Sequence, residues 1–349
     1  MYYNERKAET VLKTETHMAQ KDTNPYRFSD SNKRYFTYDY YMKQRFGGKI
    51  AKVTLDIGCT CPNLDGSRGH GGCIYCLSGS RSAIGDTLDE QYRHGVEVAS
   101  RKWTPVGFVP YFQSNTNTYG DTGDLEKYFR RAAAFDGAVM VDIATRADCL
   151  GDGVIECLVS LAEKIPVTVE LGLQTTSDKT AALINRCHTY AEFLDGYTRL
   201  KNAADKLNET FGTHRPDGMP MKRLMIGVHI INGLPGENRD DMMKTAYDTA
   251  SLEPDLVKIH LMHVLKGTAL GDMYERGEYC PMERDAYVSV TADQIEYLPE
   301  ECVLGRITGD GMPEYLLAPQ WSRRKTEVAN EIDKELYRRG SYQGIKFTK

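Results

Sequence analysis

Six short β-rich runs alternate with helical patterns along this chain, and that alternation restricts its topology more than any other feature. The runs are Ala51–Ile57, Gly107–Gln113, Ala138–Ala144, Val167–Leu173, Leu224–Ile231 and Leu256–His263. Helical patterns lie between them at Leu88–Arg101, Leu125–Ala134, Val154–Lys164, Ala191–Leu207 and Asp240–Ser251. Strands separated by helices pair in parallel through right-handed crossovers. The expected class is therefore α/β: a partial (β/α)6 barrel of the TIM type, with a flat doubly wound sheet as the competing topology. Residues 1–33 are polar and aperiodic and read as a flexible N-terminal extension. Residues 34–263 carry the barrel, and Asn208–Met221, with Gly212, Pro216, Gly218 and Pro220, lengthens its fourth crossover. The rhythm breaks in 264–349, an expected α-rich C-terminal appendage with a last helix near Ser322–Arg339.

Within the strands, polar groups recur at alternate positions: Thr54 and Asp56, Asp142, Thr168 with Glu170 and Gly172, His229, and Lys258 with His260. A period of two puts each set on one face of its strand. Buried parallel strands normally read as unbroken Val, Ile and Leu. The set implies a polar interior that binds something; a self-satisfied buried network is the plainer explanation of any one member.

Composition narrows the function classes. No apolar run approaches the roughly 20 residues of a membrane span, and the start, Met1-Tyr2-Tyr3-Asn4-Glu5-Arg6-Lys7, lacks the apolar stretch of a secretory signal. A cytoplasmic protein with no membrane contact is expected. A net charge of −5 offers no general attraction to nucleic acid. After Trp321 come Arg323, Arg324, Lys325, Lys334, Arg338, Arg339, Lys346 and Lys349, interleaved with Glu327, Glu331, Asp333 and Glu335. Such a segment is either a solvated helix paired along its own surface or a basic strip for an RNA backbone.

Four of nine cysteines crowd into one stretch, Gly58-Cys59-Thr60-Cys61-Pro62-Asn63-Leu64-Asp65-Gly66-Ser67-Arg68-Gly69-His70-Gly71-Gly72-Cys73-Ile74-Tyr75-Cys76, directly after the first strand. Loops at that end of parallel strands build active sites. Cys73 and Cys76 can reach neighbouring metal atoms, while Cys61 approaches across a glycine-rich loop that folds closely around an inorganic core. Three thiolates on a four-iron cluster leave one iron without a protein ligand. Zinc held by Cys59, Cys61, Cys73 and Cys76 is an alternative, although the Cys59–Cys61 spacing is short for a zinc knuckle. A redox-active Cys-X-X-Cys pair and an inert structural role also stand open.

The segment Cys61-Pro62-Asn63, Asp65-Gly66 and Gly71-Gly72-Cys73-Ile74-Tyr75-Cys76 resembles the YhcC-type radical S-adenosylmethionine (SAM) proteins, a group close to the Elongator catalytic-subunit core. The likeness runs from about Arg34 to Gly344. It includes Tyr111-Phe112-Gln113-Ser114-Asn115-Thr116-Asn117-Thr118-Tyr119, Glu170-Leu171-Gly172-Leu173-Gln174-Thr175, and Ile184-Asn185-Arg186-Cys187-His188-Thr189-Tyr190. His229-Ile230-Ile231-Asn232-Gly233-Leu234-Pro235-Gly236-Glu237, His263-Val264-Leu265-Lys266-Gly267-Thr268 and Leu317-Ala318-Pro319-Gln320-Trp321 complete it. The order of these stretches, each beside an expected strand, makes the likeness specific.

The resemblance implies a [4Fe-4S] cluster on Cys61, Cys73 and Cys76, with SAM chelating the open iron. Tyr75 would pack near the adenine, and Gln113, Asn115 and Asn117 would hold the amino group. Glu170 and Gln174 would face the ribose and methionine part, Arg186 the carboxylate, and Asn232 and Gly233 the adenosyl group; His260–Thr268 would frame adenine and substrate. Reductive cleavage of SAM would yield a 5′-deoxyadenosyl radical that abstracts hydrogen from the substrate, fed by an electron donor such as flavodoxin or ferredoxin. The resemblance points to the side chain of a tRNA wobble uridine, since a relative acts on carboxymethylaminomethyl-uridine. A small molecule or protein is the other substrate class, and a zinc-stabilised RNA-binding protein the non-enzymatic alternative. Two departures stand out: the family usually carries an aromatic residue at Cys59, and the 208–221 loop is unusually long. No acetyltransferase domain follows, so the acetyl-CoA-dependent Elongator reaction is not expected.

Overall fold

The computed structural model describes residues 24–77, 83–309 and 311–348. Its central sheet contains β1 (Ile50–Leu55), β2 (Gly107–Phe112), β3 (Val141–Thr145), β4 (Val167–Gln174), β5 (Leu224–Asn232) and β6 (Leu256–Leu261). Two later strands, β7 (Val264–Leu265) and β9 (Leu316–Ala318), form a small antiparallel pair, while β8 (Val303–Arg306) joins the central sheet. The order is β1-β2-β3-β4-β5-β6-β8, parallel throughout. Because the order never reverses, right-handed crossovers place every connecting helix on the same face, and a doubly wound sheet is ruled out.

The sheet also curls. Lys52 on β1 and Lys258 on β6 both reach Glu170 on β4, at 3.1 and 2.5 Å. On a flat sheet β1 would stand about 14 Å from β4. The result is an open half-barrel. The seventh strand, missing from the sequence-based expectation, is Val303-Leu304-Gly305-Arg306, too short to show a period and contributed by the C-terminal region.

The helices are α1 (Tyr38–Phe46), α2 (Leu88–Lys102), α3 (Thr122–Ala133), α4 (Asp152–Ala162), α5 (Asp178–Leu183), α6 (Tyr190–Phe211), α7 (Arg239–Ser251), α8 (Ala269–Glu275), α9 (Arg284–Tyr297) and α10 (Lys325–Arg338). Reciprocal capping boxes start α2 (Thr87 with Glu90), α6 (Thr189 with Glu192) and α7 (Asn238 with Asp241). Helix α6 runs four residues past Leu207 into the expected loop. Asn208 explains why: buried, it donates to the Leu224 carbonyl and accepts from the Arg223 and Leu224 N–H groups, tying the helix to the start of β5.

Part of the expected flexible extension, residues 1–23, lies outside the described residues. The rest of it is docked: Tyr26 and Phe28 are buried, and the Tyr26 hydroxyl donates to the Glu300 carbonyl at 2.6 Å. Next, Thr37 bridges Leu304 on β8, and α1 then leads into β1, closing the gap between the two sheet edges at the lower end. Some C-terminal charges pair on their own helix, Arg338 with Glu335 at 2.7 Å and Lys334 with Glu331 at 3.2 Å, while Arg339 and Lys346 pair with Glu296 of α9 and Asp333 with Lys33. Among the described residues no helix is long and apolar enough to cross a membrane.

Candidate active site

The loop after β1 is folded by its own backbone. Cys61 accepts from the N–H groups of Leu64 and Asp65, Pro62 from those of Arg68 and Gly69, and Asn63 from that of Gly72. Its hub is the fully buried Asn63. The Asn63 amide donates to the carbonyls of Asn185 and Arg186, both at 2.8 Å, and its oxygen accepts from Arg146 at 2.8 Å. Asn185 donates back to His70 and Gly72. Arg146 grips Asp148 with two N–H groups and also donates to the Arg186 carbonyl. These residues pack against α6 through Gly196, where an added Cβ would lie 2.1 Å from the Ala147 carbonyl oxygen. Asn63, Arg146, Asp148 and His188 were not singled out in the sequence, because each is defined by partners far along the chain.

This scaffold presents Cys61, Cys73 and Cys76 on one cavity of about 360 Å³, together with Tyr75, Asn115, Glu170, Gln174, Arg186 and His229. Cys59 is absent from that lining and packs against the main apolar core; burial pushes its thiol up to about 11. The Cys73 thiol is pulled down to about 7, first by its hydrogen bond with Cys76 and then by Tyr75, Arg146 and Asn63, against the effect of burial. Cys76, the partner in that hydrogen bond, is raised well above the ordinary thiol range by the same bond and by burial, so metal binding must displace its proton. Three thiols border one cavity, and thiolate is the donor that an iron–sulfur cluster takes. The residues present fit a [4Fe-4S] cluster.

Backbone strain gathers here as well. Asn115, Gln174, Asn185 and Cys187 adopt left-handed φ values of 54°, 63°, 55° and 57°, a conformation costly for side chains with a Cβ. Gln174 ends β4, Asn115 follows β2, and Asn185 and Cys187 lie between α5 and α6.

The other expected contacts fall into groups. Tyr75, Asn115 and Gln174 face the cavity. Arg186 lines it, but its guanidinium is occupied by the carbonyls of Leu173, Thr175 and His188. Gln113 donates to Thr54 at 3.1 Å, and Asn117, buried, donates to the carbonyls of Ser114 and Ala144. Asn232 points away, exchanging two 2.8 Å hydrogen bonds with Gln294 of α9. Gly233 borders a separate cavity of about 210 Å³, its carbonyl accepting from Tyr279.

Below the cavity the alternating polar residues form a buried charge network. Glu170 Oε1 accepts from Lys52 at 3.1 Å, and Oε2 from Lys258 at 2.5 Å, Tyr111 at 2.6 Å and His229 at 3.1 Å. Asp142 pairs with Lys52 at 2.5 Å. Gly227 is the β5 neighbour of Glu170, and a Cβ there would stand 3.1 Å from Leu256 and 3.4 Å from Glu170. Lys258 is lowered to about 8, first by burial, while the surrounding cations hold Glu170 well below the carboxylate range despite its burial. Glu170 is fully engaged, whereas Asp142 has only its ion pair with Lys52 and His260 Nε2 has no hydrogen-bond partner; the network opens to the cavity at Glu170 and His229.

Comparison with known proteins agrees with this architecture. Residues 254–338 match the family model described as the radical SAM C-terminal domain. The chain is 40% identical over 328 residues to the protein YtqA of Bacillus subtilis, covering 93% of this chain and 96% of that one. It is 29% identical over 303 residues to the protein YhcC of Escherichia coli, covering 86% and 91%. Among solved structures, the archaeal Elp3 of Methanocaldococcus infernus superposes with a TM-score of 0.60 at 18% identity, over 84% of this chain and 64% of that one. That likeness is one of fold.

Proposed function

The chain belongs to the YtqA/YhcC-type radical SAM family, and from that premise we propose that it modifies the side chain of a tRNA wobble uridine. As a radical SAM enzyme it works with a [4Fe-4S] cluster and SAM; bound together, they supply hydrogen-atom abstraction, which no side chain provides. The observation that carries the substrate is a likeness to a tRNA uridine(34) acetyltransferase of Methanocaldococcus jannaschii. The two are 24% identical over 287 residues, 69% of this chain and 49% of that one.

In this reading Cys61, Cys73 and Cys76 hold the cluster, and Tyr75, Asn115 and Gln174 receive SAM in the same cavity. Arg186 and Asn63 keep the cysteine loop in place, while Gln113 and Asn117 brace the strand ends beside it. Asn232 and Gly233 set the β5 end from outside. The walls exclude water from the reacting centre. A flavodoxin- or ferredoxin-like donor supplies electrons, and the protein works in the cytoplasm.

Anaerobically isolated protein should carry about four irons per chain and cleave SAM when reduced. Nucleoside profiles of tRNA from a deletion strain should then show a changed wobble uridine. An unaltered profile removes tRNA as the substrate, and iron-free, SAM-inert protein removes the cofactor assignment.

A further inference from the structure

Glu170 Oε2 is crowded by Lys258, Tyr111 and His229, and Oε1 already accepts from Lys52. An ionised carboxylate only accepts hydrogen bonds, so the His229 nitrogen facing it, Nε2, carries the proton. That settles the tautomer: Nδ1 of the neutral ring holds a lone pair. His229 lines the thiol-bordered cavity, which Lys258 does not. The groups facing the ring are Glu170 on β4, Lys258 and His260 on β6, and Lys52 on β1. Tyr111, Asp142 and Arg306 flank them from β2, β3 and β8. Burial, and after it the Lys258 ammonium, holds the imidazole below its ordinary range, opposed by Glu170.

We propose that His229 is the proton acceptor of the cavity, taking at Nδ1 a proton from a substrate N–H or O–H next to the reacting carbon, with Glu170 as its positioning residue. The substrate atom keeps the electron pair, the ring becomes imidazolium, and the second N–H stays shared with Glu170. Loss of a hydrogen atom from a carbon acidifies an N–H or O–H beside it, so a base belongs at this place. The inference rests on the radical SAM reading of the same cavity and adds a substrate class, amines or alcohols at the reacting position. Lys258 is the rival base, but it lies beneath Glu170 and is committed to that carboxylate and to Tyr111.

The test compares the anaerobic holoenzyme with His229→Gln, which keeps a donor for Glu170 but cannot take up a proton. With deletion-strain tRNA as probe, SAM affinity should stay within about twofold while product formation falls about 100-fold or more, the usual worth of a positioned base. Glu170→Gln should shift the acidic limb of the parent's pH–rate profile. A His229→Gln enzyme that matches the parent in rate and pH profile overturns the proposal. Loss of SAM binding in that variant overturns it too, since the ring would then be a cofactor contact. A parent inactive on tRNA sinks the substrate reading alone, and ¹⁵N-histidine spectra of the holoenzyme then decide. The signal missing in His229→Gln should report a neutral Nε2–H tautomer at pH 7; a charged ring or an Nδ1–H tautomer refutes the proposal.

Discussion

The two ends of the half-barrel solve opposite problems. At the lower end Phe28 stacks on Phe36 with centroids 4.7 Å apart, Tyr41 meets Phe36 edge-on at 5.7 Å, and Met140, Met225, Leu256 and Val303 fill the interior. At the upper end the chain holds buried Asn63, Arg146 and Arg186, four left-handed side-chain-bearing residues and three thiols on a cavity. Apolar burial stabilises without demanding geometry, whereas the polar end must satisfy each buried donor and acceptor. The contrast separates the end that holds the fold from the end that carries the proposed site.

The sharpest way to separate the ends is Cys73→Ala. Iron should fall from about four to below about one per chain and product should become undetectable. Stability of the cluster-free chain in urea should change by less than about 1 kcal/mol, as for a half-buried side chain. A variant that still loads iron and cleaves SAM breaks the comparison. Phe36→Ala addresses the other end. Removing this fully buried ring should cost about 3–5 kcal/mol in the same urea titration, while the folded fraction still loads iron. A loss below about 1 kcal/mol would show that the plug does not support the barrel.

A smaller effect sharpens the comparison through pH. His188 is lowered to about 3, first by burial and then by Arg186, and sits in the upper scaffold. Its ring is neutral in the native chain and ionises near 6.5 once unfolded. The stability it contributes is therefore complete above that value and declines as pH falls from about 6.5 towards 3, by at most about 1.4 kcal/mol per unit. Urea titrations of the cluster-free chain between pH 7 and 5 should show the decline, and His188→Gln should flatten it. Equal slopes would place the acid-sensitive group elsewhere.

Much of this molecule was legible before any coordinates. Period-two and helical patterns are local, so all six long strands and their crossovers could be located, and the polar face of those strands foretold an interior that is not merely oily. The cysteine loop was readable because spacing and glycine content are properties of contiguous chain. Tertiary structure alone decided three things. It brought in β8, whose four residues carry no period and are held by pairing with β6 and Thr37. It recruited Asn63 and Arg146, polar residues whose meaning lies in partners tens of residues away. It also turned Glu170 from a free carboxylate into the anchor of His229, because only the curl of the sheet brings Lys52 and Lys258, on strands far apart in the sheet order, to the same carboxylate. Local sequence specifies which face a side chain takes; the closure of the barrel specifies what it meets there.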